Sequence, residues 1–430
     1  MLETIARQAG CTIPPYRAPA TSPFVRWAHS GLMALTGPAG GAPLIARRDL
    51  CARIDELTYG VEAFARGAGM TVAVDANVVT ERAALLGLSR GGTVSANGMC
   101  RMIRANDGWL AVNLPRVEDV ELLPAWIGSE VKDDLWPQVE CAARAASCDK
   151  LVERAQLLGL AAARIGESFV PTWSIVPMGK PGARRKKRPL VLDMSSLWAG
   201  PLCGALLAEA GADVIKLEST SRPDGARFGS PAFFATLNAK KRAIALDLPR
   251  DREVLRKLFA VADVVIESAR PRVLEQWGFS LQEIFAANPH VTWVSVTAYG
   301  RTGARANWVG FGDEIAAAAG LVVESEGPPM FVGDAIADPL TGLAAAASAF
   351  ACLAAGGGFL IDASLFGAAA FVAGAPQLEN AASVEWRNDA WMLREGARLE
   401  PVRAPIARSV ADAAKTLGAD TETVLREVLS

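Results

Sequence analysis

From Leu190 to Gly300 the chain alternates short apolar runs with helical stretches, and this alternation restricts the fold more than any other feature. RPLVLDM is followed by the helical PLCGALLAEAG and the apolar ADVIKLE. RAIALDL, a charged helix over 251–262, DVVIES, two short helices and VTWVSVTAYG complete the series. Apolar β-branched runs separated by helices predict a doubly wound, parallel α/β sheet of Rossmann-like form. The loop after the first run, SSLWAGP, is not GxGxxG, so a nicotinamide cofactor is not supported.

The other regions are less regular. Pro181-Gly182 and the basic run to Arg188 predict a solvated linker over 176–188. Before it, WLAVNLPRVEDVELLPAWIG reads as two strand-like pieces and a helix, and DKLVERAQLLGLAAARIGE as an amphipathic helix and a strand. Residues 1–175 are therefore expected to form a smaller α+β domain, placed N-terminally. Residues 189–375 then make the Rossmann-like catalytic domain, and 376–430 a C-terminal segment returning to it. An internal echo crosses these boundaries. SGLMALTG and MTVAVDANVVTERAALLG in the first half parallel AGLVVESEG and GFLIDASLFGAAAFVAG in the second. The interval separating Asp362 from Asp338, counted back from Asp75, lands on Cys51, with Asp49 and Asp55 nearby. Either a tandem origin or a chance likeness of alanine-rich helices accounts for the pattern.

Charge and composition exclude several functions. A net charge of −2 favours neither nucleic acid nor a membrane surface. The uncharged stretch 340–361 approaches a membrane span in length, but the glycines at 356–358 and the flanking Asp338 and Asp362 predict a buried helix and a strand. Seven cysteines without a CxxC spacing predict neither disulfides nor zinc, and fit a reduced cytoplasm. With only His29 and His290, most histidine catalysis and most metal sites are excluded.

Asp338, in FVGDAIADPLTGLAAAASAF, stands out because an apolar helix follows it. From the residues alone it has two readings. One is an N-cap ahead of proline. The other is a carboxylate nucleophile at a helix start, ionised without help from a base.

The second half resembles the family III CoA-transferases, the family of formyl-CoA transferase and carnitine CoA-transferase. LDMSSLWAGPLCGALLAEAGADVIKLE, LNAKKRAIALDL, ADVVIESARPRVLEQWGFSLQEIFAANPHVTWVSVTAYGRTG, GDAIADPLTG and LGADTETVLREVLS carry the likeness. It implies that Asp338 is the catalytic nucleophile. It also implies coenzyme A contacts at Leu197, Trp198, Ala199, Arg222, Leu246, Ser268, Ala269, Arg270 and Gly310. GGTVSANGMCRMIRANDGWLAVNL is similar to the family's small domain, displaced to the front of the chain, and implies a flap with Gly91, Gly92 and Gly98. Trp198 replaces the family's glutamine, Ser219 an arginine and Gly310 a lysine, so other cations are needed for the phosphates. Arg222, Arg227, Lys240, Lys241, Arg242 and Arg270 are the candidates.

The resemblance implies transfer of CoA from an acyl-CoA thioester to a carboxylic acid through an aspartyl intermediate. Coenzyme A is then substrate, no tightly bound cofactor or metal is required, and the partners are small molecules and a second copy of the chain in a homodimer. A non-catalytic acyl-CoA-binding protein is the alternative. The family's isomerase or racemase chemistry is disfavoured, since Gly310-Phe311-Gly312-Asp313 lacks the histidine of a GHD motif.

Overall fold

The structure, a computed structural model, describes all residues except 131–133, 169–172, 183–187, 249, 325–326, 380–381 and 430. Seven strands form the central sheet. In spatial order they are Trp173–Pro177, Phe359–Ser364, Thr292–Thr297, Val264–Glu267, Leu190–Asp193, Asp213–Ser219 and Arg242–Leu246. The six strands from 190 onward are mutually parallel, and their order in the sheet follows the Rossmann sequence 3-2-1-4-5-6. The sheet's topological switch point therefore lies between 190–193 and 264–267. Both strands are buried along their length, which explains why they read as unbroken apolar runs rather than alternating ones.

The edge strand Trp173–Pro177 corrects the expected boundary at 175–176. It pairs antiparallel with 359–363, and Ile175 is buried in the main core. The chain stays strapped to the sheet beyond it. The Lys180 amide donates to the Pro289 carbonyl (2.9 Å), and that of Gly182 to the Gly356 carbonyl (2.9 Å). Most of the basic run expected as a linker, 183–187, lies outside the described residues.

Residues 1–175 do not form one separate domain either. Helices Leu2–Ala9, Pro23–His29 and Leu50–Gly67 share a single core with the second half. The reason is the helix Ala337–Ala354, buried on nearly every side and too apolar to face water. Its run of small residues lets neighbours approach closely: a Cβ on Gly342 would stand 2.8 Å from the Ala199 carbonyl. Helix 50–67 covers one flank of it and helix Ala199–Glu209 another.

Residues from about 100 to 165 make a unit with its own apolar core. Strands Cys100–Arg104, Trp109–Asn113 and Ala161–Arg164 form an antiparallel sheet beside helices that include Leu135–Arg144 and Cys148–Leu158. The second strand-like piece expected in 109–128 is instead helical. Its first turn is fixed by Arg116, whose amide donates to Asp119 Oδ2 (2.9 Å) and whose side chain pairs with the same carboxylate.

The C-terminal segment divides. Strands 382–387, 390–395 and 398–401 form a meander near helix 23–29, with Asn388 and Asp389 both at positive φ in its first turn. Helix Thr421–Leu429 lies against strand 242–246.

Candidate active site

Helix 337–354 begins one residue before Asp338, with Ile336 at the N-cap and no side chain capping it. Asp338 is thus in the first turn but does not cap its own helix. The turn before it is unusual. Ala335 adopts φ +40, and its amide donates to Asp313 Oδ1 (2.7 Å) while its carbonyl accepts from the Asp338 amide (3.0 Å). An alanine at positive φ is a strained conformation held by its surroundings. Helix Gly312–Ala318 comes close enough for the Gly312 amide to donate to the Asp338 carboxylate. Any Cβ at Gly312 would overlap Asp338 Oδ2 and the Ala335 carbonyl, so glycine is required there.

Three aspartates gather at this point. Asp334 is fully buried, Asp313 nearly so, and Asp338 half-buried. Their one cationic partner among the described residues comes from the first half of the chain. Arg82, on helix Glu81–Leu86, donates from Nε to Asp334 Oδ2 (2.7 Å) and from Nη2 to Asp334 Oδ1 (2.7 Å). Asn97 Nδ2 donates to Asp313 Oδ2 (2.8 Å) and Asp334 Oδ1 (3.1 Å). Behind them, Asn113 Nδ2 donates to Glu314 Oε2 (2.7 Å), joining the 100–165 unit to helix 312–318.

Burial raises the carboxyl pKa values of Asp338, Asp313 and Glu314. Desolvation pushes Asp338 up to about 7; Arg82 opposes the rise, and Asp313 and Asp334 add to it. Desolvation, then Asp334, likewise moves Asp313 upward. Glu314, fully enclosed, is pushed up to about 8. Burial works against the charge of Arg82, but its bonds to Asp334 hold its pKa above the usual arginine value.

A cleft of about 940 Å³ lies where the 100–165 unit meets the carboxyl ends of the parallel strands, the usual ligand position in such sheets. Arg116, Arg222, Arg270 and Arg272 line it, together with Gln156 and Trp308. Burial, then the charges of Arg272, Arg116 and Arg222, lowers the pKa of Arg270. Glu118, Asp119 and Glu153 line the cleft as well, and Arg116 is paired with Asp119, so Arg222, Arg270 and Arg272, which form no ion pair among the described residues, are the cations open to an anion. Arg116 lies 5.9 Å from the ring centroid of Phe311, the residue before Gly312, so this wall of the cleft leads towards Asp338.

The expected contacts separate into several groups. Arg222 and Arg270 line the cleft. Leu197, at φ +70 and 42% exposed, lies at the switch point, where the Ser196 amide donates to Ser268 Oγ (3.0 Å) and that of Ala269 to Glu267 Oε2 (2.9 Å). Ala199 is buried as the first residue of its helix. Trp198 is also buried; its ring lies beneath Arg82 (4.8 Å to the centroid) and edge-on to Phe233, so it packs instead of facing a ligand. Leu246 is strand core. Gly310 has no room for a side chain, since a Cβ would meet Ile315 Cδ1 at 2.6 Å and Ala298 Cβ at 2.8 Å.

Three of the proposed phosphate cations are engaged elsewhere. Lys241 is buried, donating to Asp193 Oδ2 (2.7 Å) and the Pro201 carbonyl (2.8 Å). Arg227 pairs with Glu218, and Arg242 with Asp213 and Glu427. Lys240 is exposed. Gly91, Gly92 and Gly98 do form a loop: Gly92 and Gly98 take positive φ, the Gly92 carbonyl accepts from the Phe331 amide (3.0 Å), and Asn97 reaches the aspartates from it.

Sequence reasoning missed Arg82, Asn97, Asp313, Asp334, Arg116 and Arg272. The one available signal was ionisable residues inside apolar stretches, as with Arg82 in VVTERAALLG.

Residues 189–395 match the model of CoA-transferase family III. A succinyl-CoA–D-citramalate CoA-transferase of Chloroflexus aurantiacus is 33% identical over 187 residues, 40% of this chain and 46% of that protein. A succinate–glutarate CoA-transferase of Agrobacterium fabrum is 32% identical over 180 residues, 37% and 45% of the two chains. The chain thus spans about half the length of the curated relatives it matches. Among solved structures, a CAIB/BAIF family protein from Brucella suis is 28% identical with a TM-score of 0.44, covering 48% of this chain and 64% of that one.

Proposed function

With residues 189–395 carrying the CoA-transferase family III sequence, we propose that this chain moves CoA from an acyl-CoA thioester to a free carboxylic acid, with Asp338 as covalent nucleophile. The observation that carries the reading is Asp338 itself. It is a carboxylate in the first turn of a helix, released from capping, accepting from the Gly312 amide and forming no ion pair among the described residues.

In this reading the arginine-lined cleft takes the phosphates of CoA and directs the thioester towards Phe311 and Gly312. An Asp338 oxygen attacks the thioester carbonyl. The carbon–sulfur bond breaks, CoA leaves as thiolate, and an acyl–aspartyl anhydride remains. The thiolate attacks the aspartyl carbonyl, releasing the first carboxylate and leaving an aspartyl-CoA thioester. The incoming carboxylate repeats the two steps in reverse and departs as the new thioester, with Asp338 restored. Backbone amides at the helix start favour the negative charge that develops at each step. Each anhydride must be kept from water, a task suited to the loop 91–98 that carries Asn97.

An enzyme of this kind fits a reducing cytoplasm, and the seven cysteines are all free. Incubation with a panel of acyl-CoAs and intact-protein mass spectrometry tests the proposal. An acyl or CoA adduct on the protein, absent from Asp338→Asn, is expected. Binding of acyl-CoA without adduct or transfer points to the non-catalytic alternative.

A further inference from the structure

The aspartate cluster contains three carboxylates and one cation, and that cation belongs to the half of the chain that lacks the nucleophile. Several features fix Arg82 in place. Its two-point grip on Asp334 is the geometry by which arginine binds a carboxylate most firmly. Its guanidinium rests on Trp198, with the Phe233 ring 6.0 Å away. Its helix is anchored next door, where Arg408 joins the buried Glu81 to Glu209. Asp334 in turn shares Asn97 with Asp313, and Asp313 holds the Ala335 amide that opens the strained turn before Asp338. A continuous set of bonds therefore runs from Arg82 to the backbone that aims the nucleophile.

We propose that Arg82 is a positioning residue for the reaction, holding the Asp334–Asn97–Asp313 bridge that aims Asp338. The inference rests on Asp338 being the nucleophile. The charged groups facing Asp338 are Arg82, Asp313 and Asp334; of these only Arg82 favours the ionised carboxylate. Glu314, from the same helix as Asp313, is turned to Asn113. Trp198 stands where the resemblance expects glutamine, and in this chain that position supports the arginine.

The test compares wild-type protein with Arg82→Met, Arg82→Gln and Arg82→Lys, screening each for folding by thermal unfolding. Transfer is then measured from pH 5 to 9, with the covalent adduct followed by mass spectrometry. For the neutral variants the acid limb of kcat is expected to move up by about one pH unit, with kcat at pH 7 reduced about tenfold and partly recovered at pH 9. KM for acyl-CoA should change little. Lysine should bring the limb back towards wild type. Glutamine retains hydrogen bonding to Asp334, so it decides the matter if methionine fails to fold. An unmoved acid limb in a folded neutral variant that still forms adduct overturns the role of Arg82 alone. A wild-type protein that forms no adduct, or an Asp338→Asn variant that still transfers, overturns the nucleophile instead.

Discussion

Two helices of equal length, Leu50–Gly67 and Ala337–Ala354, pack against each other more extensively than any other pair of elements described. Both follow segments related by the sequence echo, and both carry an aspartate at the start. Their chemistry differs. Asp49 caps the first helix, its Oδ1 accepting from the Ala52 amide (3.1 Å), while Arg26 binds it at 2.6 Å and Asp55 at 3.1 Å. Both acids at that end share a cation. At the other end Asp338 lies one position inside the helix, where it neither caps nor pairs, and the nearby arginine binds Asp334 instead. An acid satisfied by its own helix stabilises the fold. One without a cation adds nothing of that kind and is free to serve another purpose.

The sharpest way to break this contrast is to neutralise each acid in turn. Asp338→Asn should lower turnover by at least about 10³-fold without loss of folding, as expected for a covalent nucleophile. Asp49→Ala should leave transfer within about twofold of wild type and instead lower stability by about 1 kcal/mol through the lost cap. Steady-state kinetics with thermal unfolding of both variants separates the two; a comparable loss of turnover in Asp49→Ala removes the distinction.

The pairs at the first helix allow a second comparison. Arg26→Met leaves Asp49 and Asp55 without their cation in a largely buried place, and should cost about 2 kcal/mol with turnover retained. Urea unfolding measures it, and unchanged stability means the pair contributes only screened surface energy.

Packing supplies a third. Gly342 on the active helix faces the Ala199 carbonyl and Leu202 Cβ at 2.8 and 2.9 Å, whereas Gly60 on the first helix faces the flexible end of Leu2. Gly342→Ala should destabilise by about 1–2 kcal/mol, because a helix backbone must move. Gly60→Ala should be nearer neutral, since Leu2 can turn aside and alanine favours the helix by up to about 1 kcal/mol. Equal melting temperatures would contradict the closer approach at Gly342.

A further effect expected is one of pH. The folded chain holds the Asp338 proton more tightly than the unfolded chain does, because burial raises this group to about 7. Its contribution to stability is therefore present in acid and lost as pH rises from about 4 through about 7. Asp338→Asn should melt progressively above wild type over that range, by a few degrees at pH 8, while the wild-type reaction slows as pH falls below about 7. A melting difference that stays constant with pH argues for an ionised Asp338 throughout.

Much of the fold was legible because burial leaves a linear trace. Strands 190–193 and 264–267 lie inside a parallel sheet, so each is an apolar run, and helices between such runs imply crossovers. The run 337–354 was legible as a buried helix from its lack of charge and the acids beside it. Boundaries between units were less legible. Trp173–Pro177 carries no sign that it will join the far edge of the sheet, against strand 359–364 instead of the nearer 190–193. Helices 2–9 and 50–67 look like any amphipathic helices until the apolar helix that they cover is in place.

Sequence alone determined the parallel sheet, the position of Asp338 at a helix start and the shortage of histidine. Tertiary structure decided what surrounds it. Arg82, Asn97, Asp313 and Asp334 are drawn from positions up to 252 residues apart, and no local pattern records that they meet. It also decided which cations remain available, assigning Lys241, Arg227 and Arg242 to ion pairs within the fold and leaving Arg222 and Arg270 at the cleft. The reason is the range of the forces involved. Hydrophobic periodicity is a property of neighbouring residues along the chain. The protonation and pairing of a charge depend on desolvation and on groups a few ångströms away, and only the folded chain brings those together.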